Sequence, residues 1–141
     1  MNLKLVTLGG ELLNTDVYEV IIPTIDGEIS VFPDHEPLIA VAKSGVVAVR
    51  YEKNHSDDYL KYFAISGGVI EISGKSVKIL VDEADQDEDI IEAETQAALS
   101  RAIEMRDNAK DSVELDKAHQ LIDRHMVQLK VADLHRRKRK I

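Results

Sequence analysis

The sequence predicts a mainly β domain followed by an antiparallel pair of helices. Three observations predict it. Up to about residue 84, apolar residues recur with period 2 in short runs. All 7 glycines lie in that part, clustered between the runs. From Glu88 onward there is neither Gly nor Pro, Ala is frequent, and the apolar spacing becomes helical.

The strands come first. "DVYEVIIPT" places Tyr18, Val20 and Ile22 on one face. "GVVAVRY" places Val47, Val49 and Tyr51 on one face and Val46, Ala48 and Arg50 on the other. "YLKYFAIS" and "SVKILVD" alternate similarly. Gly9-Gly10, Asp26-Gly27, Ser44-Gly45, Gly67-Gly68 and Ser73-Gly74 supply the turns. Short strands with closely spaced turns predict an antiparallel sandwich or barrel.

A first helix is expected over Glu88–Ala109, with Ile91, Ala98, Ala102, Met105 and Ala109 at helical spacing. "KDSV" interrupts it. Ser112 or Asp111 then caps a second helix, with Glu114 in its first turn. Leu115, Ala118, Ile122, Leu129 and Ala132 form the apolar stripe of that helix, and His125 is in phase with them. Two helices of about 22 residues would each be about 33 Å long. The short link makes them an αα-hairpin. Seams of Ala bury little area, so the hairpin is expected to lean on the β domain or on a partner. The predicted domains are residues 1–86 and 87–141.

Composition narrows the function. The chain has 141 residues, 44% of them hydrophobic, and no cysteine. Disulfides, zinc–thiolate sites and cysteine nucleophiles are excluded. No apolar run approaches the roughly 20 residues that span a bilayer, and "MNLKLVTLGG" lacks the apolar segment of a signal peptide. The formal charge is −8. Residues 1–88 hold 7 Lys/Arg against 16 Asp/Glu, whereas residues 89–141 hold 11 against 10. An acidic body argues against a nucleic-acid binder. The basic end "RRKRK", Arg136 to Lys140, points to an acidic partner surface.

Chemical motifs test negative. "GVIEISGKS" has five residues between Gly68 and Gly74, where a phosphate loop needs four, and it reads as a turn at Ser73-Gly74-Lys75. His119, His125 and His135 form no i, i+4 pair and read as solvated or seam histidines rather than metal ligands. His55 reads as a solvent-facing turn residue. The acidic run "DEADQDED", residues 82–89, reads as a solvated linker and helix N-terminus without Ca²⁺-loop spacing. Asp34, His35 and Glu36 stand between Pro33 and Pro37. On extended backbone the two acids point away from the His, and no nucleophile is placed for it. A hydrolase built on His35 and Glu36 is the weaker alternative to a stiff docking loop.

"DGEISVFPDHEPLIAVAKSGVVAVR" resembles the signature of the epsilon-subunit family of F-type ATP synthases, with Gly27, Glu28, Pro33, His35, Pro37, Leu38 and Gly45 matching. "FAISGGVIEI" and "VKILVDEADQDEDI" resemble its second block and its exit into the helices. The resemblance implies a ten-stranded β-sandwich followed by the hairpin, with no catalytic residue, metal or cofactor of its own. It implies a central-stalk rotor subunit that binds gamma and the c-subunit ring and helps couple proton flow to ATP synthesis. The implied location is peripheral, on the cytoplasmic face of a bacterial membrane, without insertion. The ring-contacting loop maps to Glu28, Ser30, Phe32, Asp34 and His35, with Ser30 and Asp34 where the family has Gly. The helices are implied to reach alpha and beta and to inhibit ATP hydrolysis, with Arg136, Arg137, Lys138, Arg139 and Lys140 as the inhibitory contact. An alternative is a nucleotide sensor holding ATP between hairpin and sheet, using Ile90, Arg101 and Arg124. That family motif reads Ile-Asp-x-x-Arg-Ala. Here Ile91 and Glu94 replace its Asp and Arg, and a Glu in place of Arg repels a polyphosphate.

Overall fold

The computed structural model describes residues 1–138. Ten strands come first: β1 (Asn2–Thr7), β2 (Gly10–Asp16), β3 (Glu19–Thr24), β4 (Gly27–Val31), β5 (Leu38–Ala42), β6 (Gly45–Arg50), β7 (Lys61–Ile65), β8 (Gly68–Ile72), β9 (Ser76–Val81) and β10 (Ala84–Gln86). Two helices follow, α1 (Glu92–Asp107) and α2 (Ser112–Lys138). The strands form a sandwich of two five-stranded layers. One layer holds β10, β7, β6, β3 and β4; the other holds β5, β8, β9, β1 and β2. A single pairing, Thr24 with Ala42, joins them at a corner. Neighbours are antiparallel, except that β1 runs parallel to β9.

Period-2 alternation fills the space between the layers. Val20, Ile22, Val47, Val49, Ile70 and Ile79 point inward and are fully buried, and Phe63 is the one aromatic ring fully buried there. Alternation alone does not account for β6 and β7. Ala48 and Ala64 point outward and are buried as well, because α2 lies across the outer face of those two strands. Small residues there allow close approach of the helix.

The hairpin departs from its expected outline. Asp87–Asp89 form a short 3₁₀ turn and Ile90 and Ile91 are extended, so α1 starts at Glu92 rather than Glu88. The cause is Asp87, which is buried and accepts a hydrogen bond from the Tyr62 amide. A residue held into the sheet cannot also open a solvated helix. The helices are unequal, 16 and 27 residues, rather than two of about 22. Ile91 and Met105 of the expected α1 stripe are exposed, and Thr95 and Ala102 are its buried positions. On α2, Ala118 and Ala132 are buried as expected, but Leu115 is exposed. Among the described residues, the buried apolar side chains of the hairpin are only Ala102, Ala118, Val131 and Ala132.

Asp111, rather than Ser112, caps α2. Its Oδ1 accepts the Glu114 amide at 2.8 Å, and the Glu114 carboxylate accepts the Lys110 amide at 2.8 Å. This is close to a capping box.

Candidate functional site

The expected docking loop is built on the β3–β4 hairpin. Glu28 and Ser30 lie on the exposed side of β4, while Val31 points into the core. Phe32 is partly exposed and meets the Tyr18 ring edge-on, 5.6 Å between centroids. The chain then turns: the His35 amide donates to the Phe32 carbonyl at 3.2 Å, and the Asp34 amide donates to the Gly74 carbonyl at 2.9 Å. Asp34 sits at φ 67°, in the left-handed region. The His35 Nδ1 lies 2.6 Å from the Glu36 carbonyl oxygen, so the imidazole serves the turn itself. Glu28 therefore lies next to the β3–β4 turn and Asp34 beside the Gly74 turn, and the five expected contact residues run along β4 and into the loop after it, with polar tips and one exposed ring.

A second constellation joins α2 to the acidic linker. On extended backbone, Glu83, Asp85 and Asp87 alternate toward the same side. On α2, Arg124, Gln128, His135 and Lys138 recur at steps of about 3.6 residues and share a face. The two faces meet. Arg124 approaches Glu83 at 2.7 Å and Asp85 at 3.5 Å. Gln128 donates to Asp85 at 2.8 Å and its carbonyl meets His125 at 2.8 Å. His135 Nδ1 lies 3.2 Å from Asp87 Oδ2. That approach is off the hydrogen-bond line, and Asp87 Oδ1 and His135 Nε2 are buried without partners, so it is a close polar contact rather than a directed bond. Lys138 donates to the Leu60 carbonyl at 2.6 Å and lies over the Tyr62 ring. Beside the ladder Lys61 binds Glu88, and that hydrogen bond pulls the Glu88 carboxyl below the usual carboxylate range.

The acidic run is thus not simply a solvated linker: the Asp87 side chain has no exposed surface. His125 and His135 are seam histidines, and His119 is exposed. His55 is half-buried, stacked on Tyr59 at 4.7 Å and 3.5 Å from Glu52, rather than free in solvent.

The basic end is engaged where it is described. Arg136 holds both oxygens of Glu92 at 2.6 and 2.7 Å and also meets Asp133 at 2.6 Å. Arg137 meets Asp133 at 3.1 Å. Arg139 and Lys140 lie outside the described residues. The three nucleotide candidates do not converge. An open cleft of about 1030 Å³ between strand-connecting loops and the hairpin is lined by Arg124, but not by Ile90 or Arg101. Its other charged walls are Asp82, Glu83, Lys117 and Asp123. Among the described residues no group of three or more His, Asp or Glu side chains is arranged to hold a metal, and no helix is long and apolar enough to cross a membrane.

Sequence reasoning missed the ladder and one further surface. The outer face of the second layer carries a cross-strand row, Val41 beside Val69, Val69 beside Leu80, Leu80 beside Val6. Ile39 extends it and is 75% exposed. The signal was available: these are the outward positions of strands whose inward positions are also apolar, the mark of a sheet covered on both faces.

Comparison with known proteins agrees with this architecture. A family model described as ATP synthase, Delta/Epsilon chain, beta-sandwich domain matches residues 1–87. The ATP synthase epsilon chains of Staphylococcus aureus strains JH9 and Newman are each 32% identical over 135 residues, covering 95% of this chain and 97% of theirs. A chain of the Euglena gracilis mitochondrial ATP synthase has the same fold, with a TM-score of 0.74 at 23% identity, over 92% of this chain and 79% of that one. A chain of the Tetrahymena thermophila mitochondrial ATP synthase central stalk and c-ring aligns at TM-score 0.59 and 15% identity, over 94% and 96%. With the β domain matched throughout and the likeness carried through both helices, this chain belongs to the family of ATP synthase epsilon chains.

Proposed function

We propose that this chain is a non-catalytic rotor subunit in the central stalk of an F-type ATP synthase, coupling proton flow to ATP synthesis. In this reading the β domain binds gamma and the c-subunit ring, and the hairpin reaches alpha and beta to inhibit ATP hydrolysis. The complex holds it at the cytoplasmic face of a bacterial membrane, peripherally. The observation that carries the reading is the asymmetry of the two sheet layers, together with family membership. One outer face is covered by the chain's own hairpin, whereas the other, among the described residues, presents Ile39, Val41 and Val69 exposed beside the half-buried Leu80. An apolar row of this kind marks a permanent partner, and gamma is the partner assigned to it. The rigid loop bearing Glu28, Ser30, Phe32, Asp34 and His35 is assigned to the ring, whose polar loops suit charged, register-setting contacts.

Co-purification tests the reading. The full chain should capture a matched gamma subunit, and a Val41→Glu, Val69→Glu double variant should lose it while remaining folded by circular dichroism. Undiminished capture by the variant defeats the surface assignment, and no capture by the parent chain defeats the role. Deleting residues 136–141 should raise the ATPase rate of the assembled complex; an unchanged rate removes the inhibitory contact.

No cofactor is proposed, and ATP is not proposed as a regulatory ligand. Arg124 is already committed to Glu83 and Asp85, and the carboxylates lining the cleft oppose a polyphosphate. ATP should then leave the melting temperature of the isolated chain unchanged, since only a ligand of the folded state raises it.

A further inference from the structure

We infer that the alternate acids of the linker, Glu83, Asp85 and Asp87, form a graded electrostatic latch that holds the hairpin on the sandwich through Arg124, Gln128 and His135. Apolar packing is too thin for this task. Among the described residues, the fully buried apolar side chains of the hairpin are three Ala and one Val, its Leu and Ile side chains are at most half-buried, and burial stabilises in proportion to apolar area. The polar contacts are numerous, and they are matched in repeat. An extended segment offers an acid every second residue, about 6.6 Å apart. A helix offers a side chain on the same face every three or four residues, about 5–6 Å apart. Two elements of different period can therefore pair over several rungs, which surface charges scattered at random do not do.

The rungs differ in burial, so they differ in response. The outer rung is half-solvated: the Arg124 side chain is 34% exposed and that of Glu83 51%. Salt screens such a pair. The inner rung is closed, with Asp87 and its neighbour His135 largely removed from water. Salt reaches it poorly while it is shut. A buried carboxylate without its partner is strongly unfavourable, whereas replacing both charged groups is tolerated. Asp87 therefore works in both directions: it holds the hairpin when His135 is opposite, and it resists closure when nothing is. Arg136 on Glu92 ties the end of α2 to the start of α1, so the two helices leave the sandwich together rather than one at a time.

The latch is a property of the isolated full chain and is tested there. Whether its release inhibits hydrolysis rests on the role proposed above and is read separately, in the assembled complex. The chain has no cysteine, so Leu8→Cys with Lys117→Cys introduces a clean pair for spin labels, one on the sandwich and one on the hairpin, both lining the cleft between them. The parent should give one short distance at low salt. His135→Ala should lower the ratio of closed to open forms about tenfold or more, with helical content retained. Arg124→Ala, on the exposed rung, should act in the same direction but less, and should reduce the salt dependence. His135→Leu with Asp87→Asn, which removes the buried carboxylate together with the imidazole beside it and keeps an acceptor for the Tyr62 amide, should stay closed at all salt concentrations. A closed population indifferent to His135→Ala and Arg124→Ala overturns the latch. So does an open population in the neutral double variant.

Discussion

Asp34 shows how one backbone angle constrains the loop after β4. Its φ of 67° costs an ordinary L-residue roughly 1–2 kcal/mol, and Asp and Asn tolerate the region better because the short side chain finds local partners. This is a physical reason for the Gly that the family signature has there. Asp34→Asn and Asp34→Gly should therefore change stability little. Asp34→Ala should lose about 1 kcal/mol in urea unfolding. An Ala variant as stable as the parent would show that the loop relaxes out of this conformation. Gly68 is constrained for a different reason. A Cβ there would lie 1.9 Å from the Leu80 carbonyl oxygen on the paired strand β9. Backbone cannot yield as a side-chain tip can, so Gly68→Ala should destabilise by about 3 kcal/mol, seen as a lower denaturation midpoint. The two substitutions separate strain from crowding.

At the scale of elements, the Asp111–Glu114 cap sets where α2 begins. Asp111→Ala should cost about 1 kcal/mol and fray the first turn, measured as faster amide exchange over residues 112–115. Unchanged exchange there would mean that packing, not the cap, fixes the start. This cap was legible in the sequence because it is local: a short acid with Glu three residues on. The strands were legible for the same reason, since period 2 is written in neighbours. What was not legible is tertiary. Nothing near Asp87 announces that its carboxylate turns inward to the Tyr62 amide, 25 residues away, and that contact displaced the start of α1 from Glu88 to Glu92. Nor does any local pattern pair Asp85 with Gln128, 43 residues on. His135 read as a seam residue, but its partner came from a segment that read as solvated. The expected docking loop stood out through its two prolines and through its family signature, whereas the row from Val41 to Val6 is distributed over four strands, each showing only its own outward apolar positions.

On the scale of the whole molecule, the folded hairpin and the basic end are one device. Arg136 and Arg137 are held within the hairpin by Glu92 and Asp133, whereas Lys138 is held on the sandwich by the Leu60 carbonyl and is the cation that release of the hairpin frees. Cations committed in this way are not free to meet an acidic surface elsewhere. If the proposed inhibition uses those cations, closing the hairpin and deleting the end must act through the same step. Two changes that share a step are not additive. Complexes carrying His135→Leu with Asp87→Asn should hydrolyse ATP faster than the parent complex, and deleting residues 136–141 in addition should raise the rate no further. A complex with the neutral pair that gains again on deletion would mean that the basic end acts without release of the hairpin. Equal rates in the parent and in both variants would leave the latch intact as a property of the chain and remove its role in controlling hydrolysis.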